Sequence, residues 1–452
     1  MKNKKYTKNI KFKIKAVIML VVISAAALSQ TKTNQEQHVL SDVFIKQTVK
    51  EVIDKISSEY VIEAEGKRIA KAIKERYESG HYAGLNGPGL AQKMTADLYE
   101  ISEDLHMVII YDPESIIKDK ESKQEVRDMP NEAELALQKA RAQSSNFGYQ
   151  DFRWLPEKVA VFSIAGSHSK AYAQQHIDSM MQLADGANAI IIDVRSNGGG
   201  SPEGARYVQS YFIEQSTPMI EFRNRQEPEP FIDNTFADVS GKKRVGLPLY
   251  ILINGNCASA CEDFAISSRD TGIATLVGEN TAGAGYMNRF FPVNDTFQLS
   301  VSIAGAFSAK TGNSFQTVGV APDHKVTAPD ALTKAYALIL EKFAAESQNE
   351  KEKQRMERRF DFLNDDLSIQ NDALKVYEGK YGDILIESTG RYLKWTVGHQ
   401  SIYYKHLHGD VFEEAVRSYN RLTFHRNAKN MTKSLQMLSA HSDGKIHEKV
   451  VN

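Results

Sequence analysis

Cysteine is nearly absent from this sequence, which has Cys257 and Cys261 as its two cysteines among 452 residues. Two cysteines are too few for a structural zinc site, which is built from four Cys and His ligands. The pair spans one turn at a predicted helix start, an awkward geometry for a disulfide, so we expect two free, buried side chains. No cysteine follows the N-terminal apolar segment, so no lipoprotein anchor is predicted.

The sequence also lacks a strong charge bias. Its formal net charge of −1 argues against nucleic acid as a main partner. The 42% hydrophobic and 25% charged content is typical of a globular protein, and 452 residues are enough for two or three domains. Acidic residues and histidines are scattered, and the pair His406 and His408 has no further candidate ligands nearby. We therefore predict no metal site and no cofactor.

An apolar run long enough to cross a membrane is missing from the N-terminus. Seven lysines and no acidic residue precede the apolar segment 16–28, which is shorter than the roughly 20 residues that a spanning helix needs. The pattern predicts a signal peptide over residues 1–29, with a small-residue cleavage site at Ala27-Leu28-Ser29; an uncleaved anchor is the alternative. Cleavage lowers the net charge to about −8 and predicts an exported, periplasmic or extracellular protein without stable membrane insertion.

Hydrophobic periodicity divides the remainder of the chain. Helical spacing predicts an N-terminal helical domain at 40–112, followed by a charged linker at 113–150. Alternating strands and helices predict an α/β core with a mainly parallel sheet at 151–340. A helical linker (341–370) then leads to a small antiparallel β domain (371–452). An aromatic strip in that last domain (Tyr392, Trp395, Tyr403 and Tyr404) is either a binding face or part of the core.

One serine stands where a predicted strand turns into a predicted helix. The apolar strand Leu249–Ile253 is followed by Asn256-Cys257-Ala258-Ser259-Ala260-Cys261-Glu262. Such a turn exposes a serine hydroxyl next to free N–H groups at the helix N-terminus, as a nucleophile with half of an oxyanion hole requires. Alternatively, Ser259 only caps the helix.

A second strand, Ala189–Val194, runs into a loop with three glycines, Gly198 to Gly200. Glycines let backbone N–H groups approach a ligand closely, so the loop suits an oxyanion or a phosphate, although a plain turn is the alternative. The pattern is neither of the common nucleotide-binding fingerprints. A serine nucleophile also needs a base, and spacing alone ranks His106, His168 and His324 equally.

Five segments follow one another in this sequence: Asp104-Leu105-His106, the Asp193 to Gly200 loop, Ala258 to Glu262, Val277 to Gly283, and Gly319-Val320-Ala321-Pro322-Asp323. Together and in this order they resemble one family, the tail-specific (C-terminal-processing) serine proteases, in their interphotoreceptor-retinoid-binding-protein-like branch, with tricorn protease as a relative. The resemblance implies a crotonase-like α/β core. The sequence lacks a PDZ-like insertion, which favours this branch.

The resemblance implies roles for several residues. Ser259 matches the nucleophile, and the backbone N–H of Ala260 with that of Gly198 or Gly199 matches the oxyanion hole. Many members use a lysine base, but its place here is Ala284. We therefore expect the histidine version of the mechanism.

In that version His106 is the general base. The branch tends to place a glutamate where this sequence has Gln316, which can orient an imidazole without supplying a charge. Glu262 and Glu279 are candidate substitutes.

The resulting first hypothesis is an exported serine endopeptidase that cleaves peptides or unfolded proteins through an acyl-enzyme. The second is a non-catalytic or weakly catalytic protein that binds apolar ligands or envelope partners on the same fold. A third is a scaffold whose C-terminal β domain, which loosely resembles lipocalin-like modules, binds partners.

Overall fold

A computed structural model describes residues 38–114, 116, 132–227, 229–368, 372–398, 400–415, 420–427, 431–438, 444 and 446–450. The predicted signal peptide lies outside these ranges. In chain order the N-terminal part contains α1 (Asp42–Glu59), α2 (Glu63–Glu78), α3 (Gly87–Ser102), β1 (Val108–Tyr111) and α4 (Glu132–Ser144). Within the described ranges, no helix is long and apolar enough to cross a membrane.

Local signals explain where the N-terminal helices begin. Ser41 caps α1 by accepting from the Phe44 N–H at 3.2 Å. Asn86 caps α3 in the same way, accepting from the Gly89 N–H at 2.8 Å. The apolar face of α1 packs in one core with α2, α3 and the hairpin described below. The helical region therefore does not bury its apolar surface alone.

The α/β core follows the predicted alternation closely. It consists of β2 (Tyr149–Leu155), β3 (Val159–Ile164), α5 (Lys170–Leu183), β4 (Ala189–Asp193), α6 (Pro202–Ser210), β7 (Leu249–Ile253), α7 (Ala260–Asp270), β8 (Thr275–Gly278), β11 (His324–Lys325) and α8 (Ala331–Glu346). The sheet order is β11-β8-β7-β4-β3-β2, parallel except for the β2–β3 pair. The predicted α/β fold with a mainly parallel sheet is confirmed.

A second sheet joins the helical region to this core. It contains β5 (Pro218–Asn224), β6 (Phe231–Asn234), β9 (Tyr286–Pro292) and β10 (Phe297–Ser308), with the order β1-β10-β5-β6 and β9 paired with β10. The hairpin predicted near residues 288–303 is the β9–β10 pair. Because β1 pairs with β10, the segment that follows α3 is fixed to the α/β half.

The chain then reaches its C-terminal β domain through α9 (Glu350–Ser368). The described strands are β12 (Gly379–Tyr381), β13 (Ile384–Thr389), β14 (Tyr392–Val397), β15 (Gln400–His408), β16 (Val411–Glu414), β17 (Arg421–Arg426), β18 (Thr432–Leu438) and β19 (Ile446–Glu448), each antiparallel to the next. Val450 N–H donates to Lys380 O at 2.7 Å and Gly382 N–H to Glu448 O at 3.2 Å, which closes the sheet into a barrel.

The aromatic strip of this domain is buried. Trp395 and Tyr404 lie in the barrel core, whereas Tyr392 and Tyr403 pack with Ala328 of the α/β core. Arg391 also pairs with Asp330 at 3.0 Å. The aromatics therefore stabilise the barrel and its contact with the core rather than forming an exposed binding face.

Candidate active site

Ser259 lies at the sharp turn between β7 and α7. Its backbone has φ 55° and ψ −122°, a conformation that strains any residue with a Cβ and costs about 1–3 kcal/mol. Asn254 stabilises the segment between β7 and Ser259, since its side-chain oxygen accepts from the Asn256 N–H at 3.0 Å. Strain of this kind persists only where surrounding contacts hold it, and here it displays a half-buried serine at the start of a helix.

The contact that holds the turn is the carboxylate of Glu262. One oxygen accepts from the Ser259 N–H at 3.0 Å and the Ala284 N–H at 2.7 Å. The other accepts from the Gly283 N–H at 2.7 Å and the Thr281 hydroxyl at 2.5 Å. Burial raises the pKa of Glu262 to about 7, against the four donors, which favour the ionised form.

The sequence makes Glu262 a candidate partner for the histidine, but its carboxylate binds the backbone around Ser259 instead. Both carboxylate oxygens are occupied by donors from the serine turn and the loop at 281–284. The side chain is fully buried. It therefore holds the backbone around Ser259 and is not placed to orient an imidazole.

A disulfide joins Cys257 to Cys261, so the prediction of two free thiols is wrong. The prediction assumed that both residues belong to one helical turn. Cys257 instead precedes α7, and the unusual backbone at Ser259 brings the two Cα atoms to 5.4 Å, within the range a disulfide bridges. The bond is buried and encloses Ser259 in a short covalent loop.

The glycine loop packs directly against the serine turn. A Cβ on Gly199 would lie 2.9 Å from Cβ of Ser259 and 3.2 Å from the Ala260 nitrogen, so no other residue fits there. Asn197 ties the two segments together: its carbonyl accepts from the Ala258 N–H at 3.3 Å, and its side-chain oxygen accepts from the Gly199 N–H at 2.8 Å.

These bonds separate the oxyanion-hole candidates. The Gly199 N–H is already bound to Asn197. Among the described residues, neither the Gly198 N–H nor the Ala260 N–H has a hydrogen-bond partner. Ala260 is the first residue of α7, where N–H groups have no partner inside the helix. Of the predicted set, Gly198 and Ala260 are the two whose N–H groups are free to donate.

His106 lies in the turn between α3 and β1. Its ring is mostly buried, with 16% of the side chain exposed, and Nδ1 is a buried atom without a hydrogen-bond partner. Burial lowers the pKa of the imidazole, and the nearby Asp104 carboxylate opposes part of that shift. A neutral ring is the form that accepts a proton. In the described chain, no hydrogen bond joins the ring to Ser259.

Gln316 is held by the backbone of the segment that contains Ala284 and Gly285. Its side-chain oxygen accepts from the Gly285 N–H at 2.7 Å, and its side-chain nitrogen is buried without a partner. Ala284, at the position where the resemblance would place a lysine base, is buried between the Glu262 and Gln316 contacts. The acceptor that was expected to orient a histidine is therefore engaged with Gly285.

The remaining candidates, Glu279, His168 and His324, make contacts away from the serine turn. The Glu279 carboxylate accepts from the Tyr403 hydroxyl of the C-terminal barrel, so it fixes that domain. The His168 ring lies 3.3 Å from the Ser145 hydroxyl and lines an apolar cleft with Asn197 and Phe264. His324 is in the edge strand β11.

A line of contacts connects the histidine turn to the serine turn. Ala284 binds Glu262, and two residues later Tyr286 packs edge-on against Tyr60 with ring centroids 6.2 Å apart. The Tyr60 hydroxyl donates to Asp104 at 3.0 Å. Contacts thus link the turn that contains Ser259 to the turn that contains His106. Sequence reasoning missed the contacts of Asp104 and Thr281, although both residues stand inside the quoted motifs.

Comparison with known proteins shows which part of the chain has relatives. Residues 158–326 match Peptidase family S41. The carboxyl-terminal-processing protease of Synechocystis sp. is 29% identical over 172 residues, which are 38% of each chain. That of Picosynechococcus sp. is 30% identical over 151 residues, 33% of this chain and 35% of the relative. The solved photosystem II D1 C-terminal processing protease is 15% identical and covers 64% of this chain and 94% of its own, with a TM-score of 0.42.

The matches have clear limits along the chain. They span little more than a third of the length of these two relatives. The matched family segment contains Ser259, the glycine loop, Glu262 and Gln316, whereas His106 precedes it. The match to Peptidase family S41 lies within the α/β core and covers residues 158–326.

Proposed function

We propose that this protein is a serine endopeptidase of the carboxyl-terminal-processing type. The observation that carries the proposal is the strained Ser259 turn, anchored by Glu262, with unpartnered N–H groups of Ala260 and Gly198 nearby. A plain helix cap would not require this backbone conformation. The relatives bear protease names, which favours this hypothesis over the binding-protein alternative.

The proposed reaction uses these groups in turn. The Ser259 hydroxyl oxygen attacks the carbonyl carbon of the scissile bond while Nε2 of His106 takes its proton. The carbonyl oxygen becomes an oxyanion that accepts from the Ala260 and Gly198 N–H groups. Collapse of the tetrahedral intermediate breaks the C–N bond, and His106 returns the proton to the leaving amine. Water then hydrolyses the ester on Ser259 by the same route.

The substrate we propose is an extended peptide or unfolded segment with apolar side chains. An apolar cleft beside the glycine loop is lined by Ile164, Val194, Val208 and Phe264, with Asn197 at the loop. A peptide lying along the glycine loop would direct a side chain into this cleft, where burial of apolar surface stabilises binding.

We further propose that the protein is exported and belongs to the interphotoreceptor-retinoid-binding-protein-like branch. The lysine-rich segment followed by an apolar segment at residues 1–29 supports export. Ala284 at the lysine position supports the branch. Oxidation of Cys257 and Cys261 is also expected in an oxidising compartment.

The decisive experiment is intact-mass analysis after treatment with a fluorophosphonate, which reacts with activated serines. We expect one adduct on the wild type and none on Ser259→Ala. Ser201→Ala, which removes a hydroxyl from the neighbouring glycine loop, is the control and should label normally. Folded wild-type protein that forms no adduct would overturn the proposal.

A further inference from the structure

The group that orients His106 is identifiable from the turn in which the histidine lies. The Asp104 side chain is fully buried, and its Oδ1 atom accepts from the His106 backbone N–H at 2.9 Å. The same Oδ1 lies 3.8 Å from Nδ1 of the His106 ring. Nδ1 is buried, and it has no hydrogen-bond partner among the described residues. A small rotation of the ring would bring Nδ1 within hydrogen-bond distance of Asp104 Oδ1.

The charge of Asp104 has no other cation to pair with in the described chain. The Tyr60 hydroxyl donates to its Oδ2 atom at 3.0 Å, and His106 is the one basic residue within 4.0 Å. A buried carboxylate without a positive partner is unfavourable, and it becomes favourable when an adjacent imidazole takes up a proton. Asp104 therefore stabilises the charged form of His106 that proton transfer from Ser259 creates.

Gln316 is less suited to this task. Its side-chain oxygen already accepts from Gly285, and its free atom is an N–H donor, which cannot accept from the N–H at Nδ1. The amide also lacks the charge that stabilises an imidazolium.

We infer that Asp104, held by Tyr60, is the positioning residue for His106 and takes the role that the sequence comparison gave to position 316. It accepts from Nδ1–H, which leaves Nε2 unprotonated and directed to Ser259. The inference rests on the proposed function only for the proton transfer from Ser259 to Nε2. Which ring nitrogen of His106 carries the proton does not depend on that function.

Other titratable groups around this turn are few. Tyr60 comes from the end of α1 and Tyr286 from β9, and burial raises the pKa of both phenols, so they stay neutral donors. The charge of Glu65 in α2 also acts on both tyrosines, and Glu65 pairs with Arg68 at 2.7 Å. The charge next to the ring is therefore that of Asp104.

The test is ¹⁵N NMR of histidine-labelled protein, with the His106 signals assigned by their loss in His106→Gln. We expect Nδ1–H with bare Nε2 in the wild type. In Asp104→Asn, which keeps an acceptor for the His106 backbone N–H, the proton should move to Nε2, and Ser259 labelling should slow by about 100-fold or more. Tyr60→Phe removes a donor but keeps the carboxylate, and is expected to preserve the tautomer.

The outcomes separate the two proposals. Wild-type protein with Nδ1–H but no Ser259 adduct would refute the peptidase function and keep the Asp104 assignment. Unchanged tautomer and labelling rate in folded Asp104→Asn would refute the assignment and keep the function. If that variant does not fold, the wild-type tautomer decides: a proton on Nε2 contradicts the role of Asp104.

Discussion

The two halves of the candidate site are held in different ways. The serine half is fixed by the Glu262 carboxylate with its four donors, by a disulfide around Ser259, and by a glycine loop packed against it. The histidine half has fewer contacts: Tyr60 binds Asp104, which accepts from the His106 backbone N–H, and Nδ1 of the ring has no hydrogen-bond partner among the described residues.

The difference fits the roles that we propose for the two halves. An oxyanion hole is effective because its donors are in place before charge develops, and rigidity serves that purpose. A general base exchanges protons and benefits from a ring that can adjust as the reaction proceeds. We therefore expect changes in the serine half to affect stability and rate together, and changes in the histidine half to affect rate and pH dependence.

Among the variants that test this difference between the two halves, we expect the largest effect from Glu262→Gln. In either orientation the new NH₂ group faces N–H donors on one side, so these lose their acceptor. We expect a loss of about 3 kcal/mol in unfolding free energy and a slowing of Ser259 labelling by roughly 100-fold. Denaturant unfolding and labelling rates measure both.

The control is Glu214→Gln, the same chemical change at an exposed position. It should alter neither quantity. Normal stability in Glu262→Gln would show that the carboxylate does not hold the turn.

A smaller effect is expected from removing the disulfide. In Cys257→Ala/Cys261→Ala, loss of the short covalent loop should lower the unfolding free energy by about 2 kcal/mol. Wild-type protein treated with a dithiol reductant under denaturing conditions and refolded should behave in the same way, whereas the double variant should be insensitive to reductant. Two free thiols per chain in denatured, unreduced protein would contradict the disulfide.

The role of His106 should be visible in how the rate of Ser259 labelling depends on pH. Burial lowers the pKa of His106 below the ordinary value of 6.5, so the ring remains neutral as pH falls through 6.5. The rate of Ser259 labelling should therefore stay level down to about pH 6.5 and decrease only below it. A decrease that begins above pH 7 would mean that another group is the base.

The same shift affects stability with a definite sign. Below pH 6.5 the unfolded chain takes up a proton that folded His106 resists, so its contribution to stability falls as pH falls. Glu262 acts in the opposite direction, because its pKa is raised from 4.5 to about 7 and its contribution decreases as pH rises through that window. Comparing the unfolding curves of wild type and His106→Gln isolates the histidine.

We expect the smallest effect from Gln316→Glu, which tests whether position 316 or Asp104 orients His106. If Gln316 orients His106, then Gln316→Glu should restore the missing charge and accelerate labelling by at least about tenfold. We expect a change of less than about threefold, with a stability loss of about 1 kcal/mol from the added buried charge. Gln316→Met, which keeps the length without polar atoms, is the matched control.

Much of this protein is predictable from the sequence because the signals are local. Periods of two and 3.6 residues predict the strands and helices of the α/β core, and the strand, turn and helix around Ser259 follow from a run of a dozen residues. The order of five motifs predicts a likeness to serine peptidases, and residues 158–326 match Peptidase family S41. Short strand signals separated by Gly, Asn and Asp also predict the C-terminal β domain, as an antiparallel sheet or barrel.

The remaining features depend on contacts between distant segments, which the sequence alone does not reveal. The Cys257–Cys261 disulfide requires the unusual backbone at Ser259, which a helical interpretation of the spacing misses. Glu262 receives its donors from residues 281–284. Asp104 gains its place because Tyr60, 44 positions earlier, comes from another helix. Local periodicity determined the elements and the strand-to-helix turn at Ser259. Only the tertiary structure decided which carboxylate anchors that turn and which lies next to the histidine, because those choices depend on burial and on neighbours brought together by folding.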